Sequence, residues 1–293
     1  MKPFVKWAGG KTRLLKEIEQ RLPADFDEWV NVTYVEPFVG GGSMLLHMLN
    51  KHSNITRAII NDINPVLMKS YLAIKNDPSS LIEDLKELKR EYIRLGIGTL
   101  RDEFFYNTRK EYNEMDLANE KKIALFIFLN HTCFNGLYRE NRMGLFNVPH
   151  GKYKNPVVFE ESNLLALHDI LKKVDIKCGD FANLLNREYE NNTFIYIDPP
   201  YRPINAEMTM FTEYDKSGFT DADQCRLKVL CDTCTEQGYK IMVSNSDSYD
   251  GDDSYFENLY NEGYHLDRIT VTRLINPYNA RNRKPQEIII TNY

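Results

Sequence analysis

Two stretches of this 293-residue chain bring together side chains whose types and spacing could do chemistry. Asp198-Pro199-Pro200-Tyr201 stands at the end of the β-rich run Thr193–Asp198. Two consecutive prolines fix the backbone and cannot continue a hydrogen-bonded ladder, so the tetrapeptide is a rigid turn. It presents a carboxylate, free carbonyls and an aromatic face. That set suits a planar ring with an exocyclic amino group, which offers two N–H donors and a π-face; a purely structural turn is the competing reading. Glu36-Pro37-Phe38-Val39-Gly40-Gly41-Gly42-Ser43 ends another strand and opens a helix. Glycines there let the backbone approach a ligand at the carboxyl end of a sheet. About 20 residues further on, Asp62 ends the next strand, where a carboxylate can accept hydrogen bonds from ribose hydroxyls. A dinucleotide fingerprint would need glycine where Leu45 stands, so the loop suits a nucleoside without a pyrophosphate. Read blandly, it is a glycine-rich turn followed by a capping acid.

Other motifs carry less. Gly10-Lys11-Thr12 imitates the end of a phosphate-binding loop, but Val5 occupies the first glycine position and no strand precedes it. Met1 to Lys16 holds five basic residues and no acid, and could face phosphates. Cys231-x-x-Cys234 lies in a helical pattern without a second cysteine pair, which reads as core packing. The six histidines have no metal-ligand spacing, and Asp252-Asp253 reads as a solvated loop, so no metal is expected.

Seven β-rich segments must position these residues: Thr33–Phe38, Ala58–Ile63, Val174–Phe181, Thr193–Asp198, Lys240–Ser246, Leu266–Leu274 and Glu287–Tyr293. Several are near-continuous apolar runs, the pattern of strands covered on both faces. Helical stretches at Ser43–Lys51, Asn163–Lys172 and Ala222–Gln237 alternate with them, giving an open α/β sheet. The last two strands are joined by too few residues for a helical crossover, so they form an antiparallel edge hairpin. Between Asn64 and Asn163 the alternation stops. Leu81, Leu85, Leu88, Tyr92 and Leu95 have helical spacing, two more helices follow within Asp102–His131, and the segment from Thr132 to Gly151 is rich in Asn, Gly and Arg. Residues 65–162 therefore read as a largely helical insert ending in a hairpin, with 1–64 and 163–293 forming the α/β domain.

Composition narrows the classes. With 42% hydrophobic and 27% charged residues the chain is globular rather than disordered. Its longest apolar run, Ile123 to Leu129, is too short to span a bilayer, and Met1 to Lys6 has no apolar region of the signal-peptide kind. Five cysteines, an odd count, point to reduced thiols and the cytoplasm. A net charge of −5 means that a nucleic acid would have to be held by local basic surface.

In combination and order, these motifs resemble the Dam-type DNA adenine-N6 methyltransferases, the D12 class, from Pro3 through Tyr293. Phe4-Val5-Lys6-Trp7-Ala8-Gly9-Gly10-Lys11 is similar to the family's N-terminal methyl-donor motif, Val35 to Gly42 to its glycine loop, and Ile60-Asn61-Asp62-Ile63-Asn64 to its ribose-binding motif. Gly179-Asp180-Phe181 is similar to the segment that meets the donor's adenine, and Asp198-Pro199-Pro200-Tyr201 to the catalytic tetrapeptide. Phe134 to Arg139 and Gly144 to Tyr153 resemble the DNA-reading hairpin of members that methylate GATC.

The resemblance implies a Rossmann-like class I methyltransferase sheet of seven strands with its last hairpin reversed, and an inserted target-recognition domain. It implies S-adenosyl-L-methionine as donor, held by Trp7, Lys11, Glu36, Phe38, Gly40, Asp62, Asp180, Phe181 and Asp198. Asp198, Pro199, Pro200 and Tyr201 would carry catalysis; Lys6, Asn135, Leu137, Arg139 and Pro149 would meet double-stranded DNA. Local positive charge would come from the N-terminal arm, from Arg139, Arg142, Lys152 and Lys154 against Glu140, and from Arg281, Arg283 and Lys284. No membrane partner is expected, and a restriction endonuclease would act separately. Methylation of cytosine N4 or of RNA is the nearest alternative, although related tetrapeptides there often begin with Ser or Asn. A catalytically silent DNA-binding relative is the alternative of another class.

Overall fold

The computed structural model describes residues 1–12, 14–190, 192–201, 218–246, 254–270 and 286–293. Among them, seven strands form one sheet: β1 (Val32–Glu36), β2 (Ile55–Asp62), β3 (Val174–Cys178), β4 (Thr193–Ile197), β5 (Lys240–Ser246), β6 (His265–Thr270) and β7 (Gln286–Thr291). Their order is β3-β2-β1-β4-β5-β7-β6. β1 runs parallel to β2 and β4, and β4 parallel to β5, whereas β7 is antiparallel to both neighbours. The reversed edge hairpin expected from the short last connection is present. That connection, the expected continuation of its first strand to Leu274, the basic trio Arg281, Arg283 and Lys284, and Asp252-Asp253 lie outside the described residues.

All five residues of β1 and of β4 are buried, which explains their largely apolar composition. The parallel strands end in chemistry. Glu36 and Asp62 close β1 and β2, and Asp198 follows β4. This is the end of an open α/β sheet where ligands are held.

Helices α1 (Leu15–Glu19), α2 (Ser43–Lys51), α3 (Pro65–Asn76), α4 (Pro78–Arg94), α5 (Thr99–Glu114), α6 (Lys121–Thr132), α7 (Glu161–Leu171), α8 (Ala182–Leu185), α9 (Asp221–Glu236) and α10 (Tyr255–Leu259) complete the described elements. α9 begins with a reciprocal capping box between Thr220 and Asp223 and stops at Gly238, whose φ of 83° suits glycine. Sequence reading did not find α3, which is capped by the Asn64 side chain accepting from the Leu67 amide, with Pro65 in the first turn.

The described chain divides into two compact units. One comprises residues 1–10, 39–49 and 62–179, the other residues 11–38, 50–61 and 180–293. In the first, α6 lies against α4 and α5 and is buried from Ile123 to Asn130. Apolar on every side, it loses the one-faced periodicity that marks an ordinary surface helix. Its Phe126 and Phe128 pack on Tyr112, Tyr92 and Phe104. In the second unit, Val35, Ile59, Ile195, Ile197, Ile241, Val243, Ile288 and Ile290 form a core with Leu227, Cys231 and Cys234 of α9. The Cys-x-x-Cys pair is thus core material, and the Cys234 thiol donates to the Leu185 carbonyl at 3.3 Å.

Candidate active site

Within the second unit, Asp198 sits in a buried polar cluster. Its carboxylate, 18% exposed, meets the Lys11 ammonium at 2.9 Å. Ser244, the fifth residue of β5, donates to the same carboxylate at 3.1 Å, and the Tyr196 hydroxyl lies 3.0 Å from the Ser244 oxygen. Lys11 is 5% exposed and also faces Glu287 of β7 at 3.6 Å. A buried ammonium between two carboxylates leaves the cluster one negative charge in excess, and burying a charge disfavours the ionised acid. Burial accordingly raises the Asp198 carboxyl to about 6, against the opposing pull of Lys11 and the Ser244 hydroxyl. Burial pushes the Tyr196 and Tyr34 phenols well above their ordinary value, so both remain hydroxyl donors. Tyr34 donates to Glu36 at 2.7 Å.

Tyr201 completes this group. Its hydroxyl donates to Glu287 at 2.6 Å and meets the Lys11 ammonium, which lies 4.2 Å from the centre of the Tyr201 ring. The cation thus sits at the hydroxyl end of the ring. Sequence reading did not single out Ser244 and Glu287. Their signals were polar residues, the Ser244-Asn245-Ser246 end of β5 and a lone acid beside Ile288-Ile289-Ile290, inside otherwise apolar strands.

A second group in the same unit is aromatic. Phe38, Phe181 and Phe219 surround one another with ring centres 5.2 to 5.8 Å apart. The Arg226 guanidinium lies 4.3 Å from the Phe181 ring and grips both oxygens of Asp180 at 3.1 and 2.9 Å. Such a cluster offers flat apolar surface to a purine, with a fixed charge pair at its edge.

In the first unit, Asp62 organises the glycine loop. One carboxylate oxygen accepts from the Gly40 amide at 3.0 Å and the other from the Asn64 amide at 2.9 Å. Burial raises its carboxyl, while these main-chain donors pull it down. Ile63 is a third main-chain donor to it, and a carboxylate with about four acceptor sites still has room for a ligand hydroxyl. Gly40 and Gly42 have φ of 49° and 78°, and a methyl group on Gly40 would come 2.9 Å from the Trp7 ring. The loop needs glycine both for conformation and for space. Tyr71 of α3, missed with its helix, donates from its hydroxyl to the Gly40 carbonyl at 3.0 Å. Trp7 also stacks on Tyr138 with centres 5.3 Å apart.

The same unit carries the expected hairpin. It is made of two isolated antiparallel bridges, Cys133 with His150 and Glu140 with Phe146, rather than two strands. The cause is local: Phe134 to Gly136 turn as a short 3-10 segment, with Asn135 and Gly136 at φ of 54° and 63°. Asn141 closes the far turn, its side chain accepting from Met143 and Leu145. Asn135, Leu137, Arg139 and Pro149 are exposed, as are Phe134, Arg142 and Met143. Lys6 joins them through Asn130, which accepts from the Lys6 amide at 2.7 Å and donates to the Lys6 and Gly136 carbonyls. Among the described residues no helix is long and apolar enough to cross a membrane, and no cluster suits a metal ion.

Comparisons with known proteins assign the chain to a family. Residues 7–275 match the model of the D12 class N6 adenine-specific DNA methyltransferases. The type II methyltransferase M.MjaIII of Methanocaldococcus jannaschii is 43% identical over 296 residues, covering 100% of this chain and 99% of that protein. The type II methyltransferase M1.LlaDCHI of Lactococcus lactis subsp. cremoris is 32% identical, covering 100% and 96%. The DNA adenine methylase of Vibrio cholerae serotype O1 is 33% identical, covering 98% and 94%. A buried acid heading Asp-Pro-Pro-Tyr, a glycine loop tied to an acid at the end of β2, and a match over most of the chain converge on one assignment: the protein belongs to the D12 class of N6 adenine-specific DNA methyltransferases.

Proposed function

We propose that the chain methylates N6 of adenine within GATC in double-stranded DNA, with S-adenosyl-L-methionine as donor. The observation that carries this reading is the Asp198 carboxylate, half-buried at the end of β4 and held by Lys11 and Ser244. The residues suit the donor: Asp62 keeps acceptor capacity for a ribose hydroxyl, and the Phe38 ring, backed by Phe181, offers an apolar face for its adenine. When bound, the donor supplies a methyl group on a positively charged sulfur.

The target adenine must leave the base stack, at a cost of a few kcal/mol. Asp198 and the Pro199 carbonyl accept its two N6 hydrogens, which favours a pyramidal nitrogen with its lone pair aimed at the methyl group. Tyr201 stacks on the base, with its hydroxyl tied to Lys11 and Glu287. The N6 proton becomes acidic only as the new bond forms, so a carboxylate titrating at about 6 is basic enough to receive it. Positioning and fixed charges carry most of the rate. Residues 65–162 act as the target-recognition domain, Lys6 and the exposed hairpin residues meeting the duplex. Phosphate contacts position it and Arg139 reads a guanine. The type II names of two relatives support a separately acting restriction endonuclease as companion, and the DNA substrate supports a cytoplasmic setting.

Incubation with labelled donor and duplexes carrying GATC or single-base variants, followed by mapping of the modified base, tests the reading. N6-methyladenine in GATC is the expected product. Label in cytosine, or incorporation indifferent to sequence, would overturn it.

A further inference from the structure

A two-stranded hairpin is marginally stable by itself, and this one has only two bridges across it. Its return arm, bonded to the first arm by a few main-chain bonds, is held from the other side by one face of α5. The Asn113 side chain donates to the Phe146 carbonyl at 3.0 Å and accepts from the Phe146 amide at 2.9 Å. Arg109 donates to the Val148 carbonyl at 3.1 Å, and Asp102 meets the His150 ring at 2.6 Å. Positions 102, 109 and 113 share a helix face, while 146, 148 and 150 are alternate residues of an extended arm. The side of that arm turned to α5 is therefore fixed at three successive points. Asn113 replaces a missing strand, giving Phe146 the donor and acceptor that a ladder partner would give.

Between the pinned positions stands Asn147. Its side-chain oxygen accepts from Arg139 Nε at 2.8 Å, and its amide donates to the Arg139 carbonyl at 3.1 Å. A bond through Nε fixes the plane of the guanidinium. The two terminal nitrogens are those that form a parallel pair of bonds to guanine O6 and N7. The side chain of Asn113 is thus linked to the reading group by a short path: Asn113, the Phe146 backbone, the Asn147 amide group, the Arg139 guanidinium.

We propose that Asn113 is a positioning residue for sequence discrimination, which sets the aim of Arg139 through the register of Phe146 and Asn147. It touches neither DNA nor donor. This rests on the reading of the hairpin as the element that reads the duplex. A residue that merely stabilised the fold would, on removal, slow methylation of every duplex alike. A residue that aims the arginine lowers the preference for the cognate site.

The test compares kcat/KM on a GATC duplex and on a duplex altered at the guanine, together with donor affinity, binding to an unrelated duplex, and Tm. Asn113→Ala is expected to cut the preference for GATC by about tenfold, the scale of one weakened bidentate base contact. Donor affinity and binding to the unrelated duplex stay within about twofold, the ordinary reach of a substitution remote from both. Asn113→Asp keeps the acceptor for the Phe146 amide and loses the donor, so it recovers part of the preference. It also serves as the informative variant if Asn113→Ala does not fold. Arg139→Ala, run in parallel, separates the two levels. If it narrows the preference and neither Asn113 variant does, Asn113 is only structural and the proposal falls while the hairpin reading stands. If Arg139→Ala leaves the preference intact, the hairpin reading falls and the proposal with it. In the double variant, Asn113→Ala should add little to Arg139→Ala, because residues acting through one contact are not additive.

Discussion

Asp62 and Asp198 are both carboxylates at the ends of parallel strands, and burial raises the pKa of both. They are held differently. Asp62 is satisfied by main-chain amides of Gly40 and Asn64, neutral donors fixed by the chain path. Asp198 is satisfied by a lysine ammonium and a serine hydroxyl, with a second carboxylate competing for the lysine. The first arrangement shapes a loop. The second balances charge, and a charge balance can respond to pH and to an incoming base. A binding role needs the former and an acceptor role in the reaction needs the latter.

The largest effect that would break this contrast lies at Asp198. Asp198→Ala should lower methyl incorporation at saturating donor by about a thousandfold, the upper scale for removing one preorganised group. Binding to DNA should largely survive, because the side chain makes no phosphate contact in this reading. Near-normal turnover would remove Asp198 from the chemistry.

Protonation should reach Asp198 in an accessible range. With its carboxyl at about 6, kcat should fall about tenfold per unit below that pH, as the acceptor becomes a donor. The same shift bears on stability. The folded-state pKa is raised above 3.8, so the native state holds the proton more tightly than the unfolded chain. The resulting stabilisation is fully present below pH 3.8 and is lost as pH rises through about 6. Relative to acid conditions, the ionised carboxylate then costs up to about 3 kcal/mol, two pKa units at about 1.4 each. Asp198→Asn, which can still accept from Lys11, should unfold at a higher temperature than the parent at pH 8 and show little difference at pH 4. A constant difference across that range would mean that the carboxylate is not strained by burial.

Asp62→Ala should act on binding rather than chemistry. Donor affinity should weaken by roughly 1–3 kcal/mol, the scale of a charge-assisted hydrogen bond, with kcat at saturating donor nearly kept. Unchanged affinity in calorimetry would place the donor elsewhere.

The two carboxylates also mark how far the sequence could be read. Asp198 was legible because it ends an apolar strand and two prolines follow it, Asp62 because it ends the next strand about 20 residues beyond the glycine loop. The sheet and its reversed hairpin were legible for the same reason, period and connection length being local properties. Ser244 and Glu287 were not, because Asp198, which Ser244 meets, and Lys11 and Tyr201, which Glu287 meets, are brought near by the fold and by no spacing along the chain. Tyr71 and Asn113 belong to the same class. Each lies on a helix and acts through its side chain on the backbone of a distant loop, and ordinary helical residues look no different in sequence. α3 escaped because its cap, Asn64, was read as the end of the ribose-binding motif.

The smallest effect sharpens the contrast from the Asp62 side. The glycine loop is held from two directions, by Asp62 on the Gly40 amide and by the Tyr71 hydroxyl on the Gly40 carbonyl. Tyr71→Phe keeps the buried ring, which packs edge-on against Phe4 with centres 4.9 Å apart, and removes only the hydroxyl. Losing one neutral hydrogen bond costs roughly 0.5–1.5 kcal/mol. Donor affinity should therefore fall by about two- to tenfold, less than for Asp62→Ala, with kcat at saturating donor little changed. The same hydroxyl crowds Gly42, where an added methyl would come 2.4 Å from the Tyr71 oxygen, at a φ of 78°. Gly42→Ala should be harmful both from the clash and from backbone strain. In a Tyr71→Phe background the clash is gone and the strain remains, so the double variant should bind donor better than the sum of the single losses requires. Strict additivity would mean that Tyr71 does not shape the loop, leaving Asp62 alone to hold it.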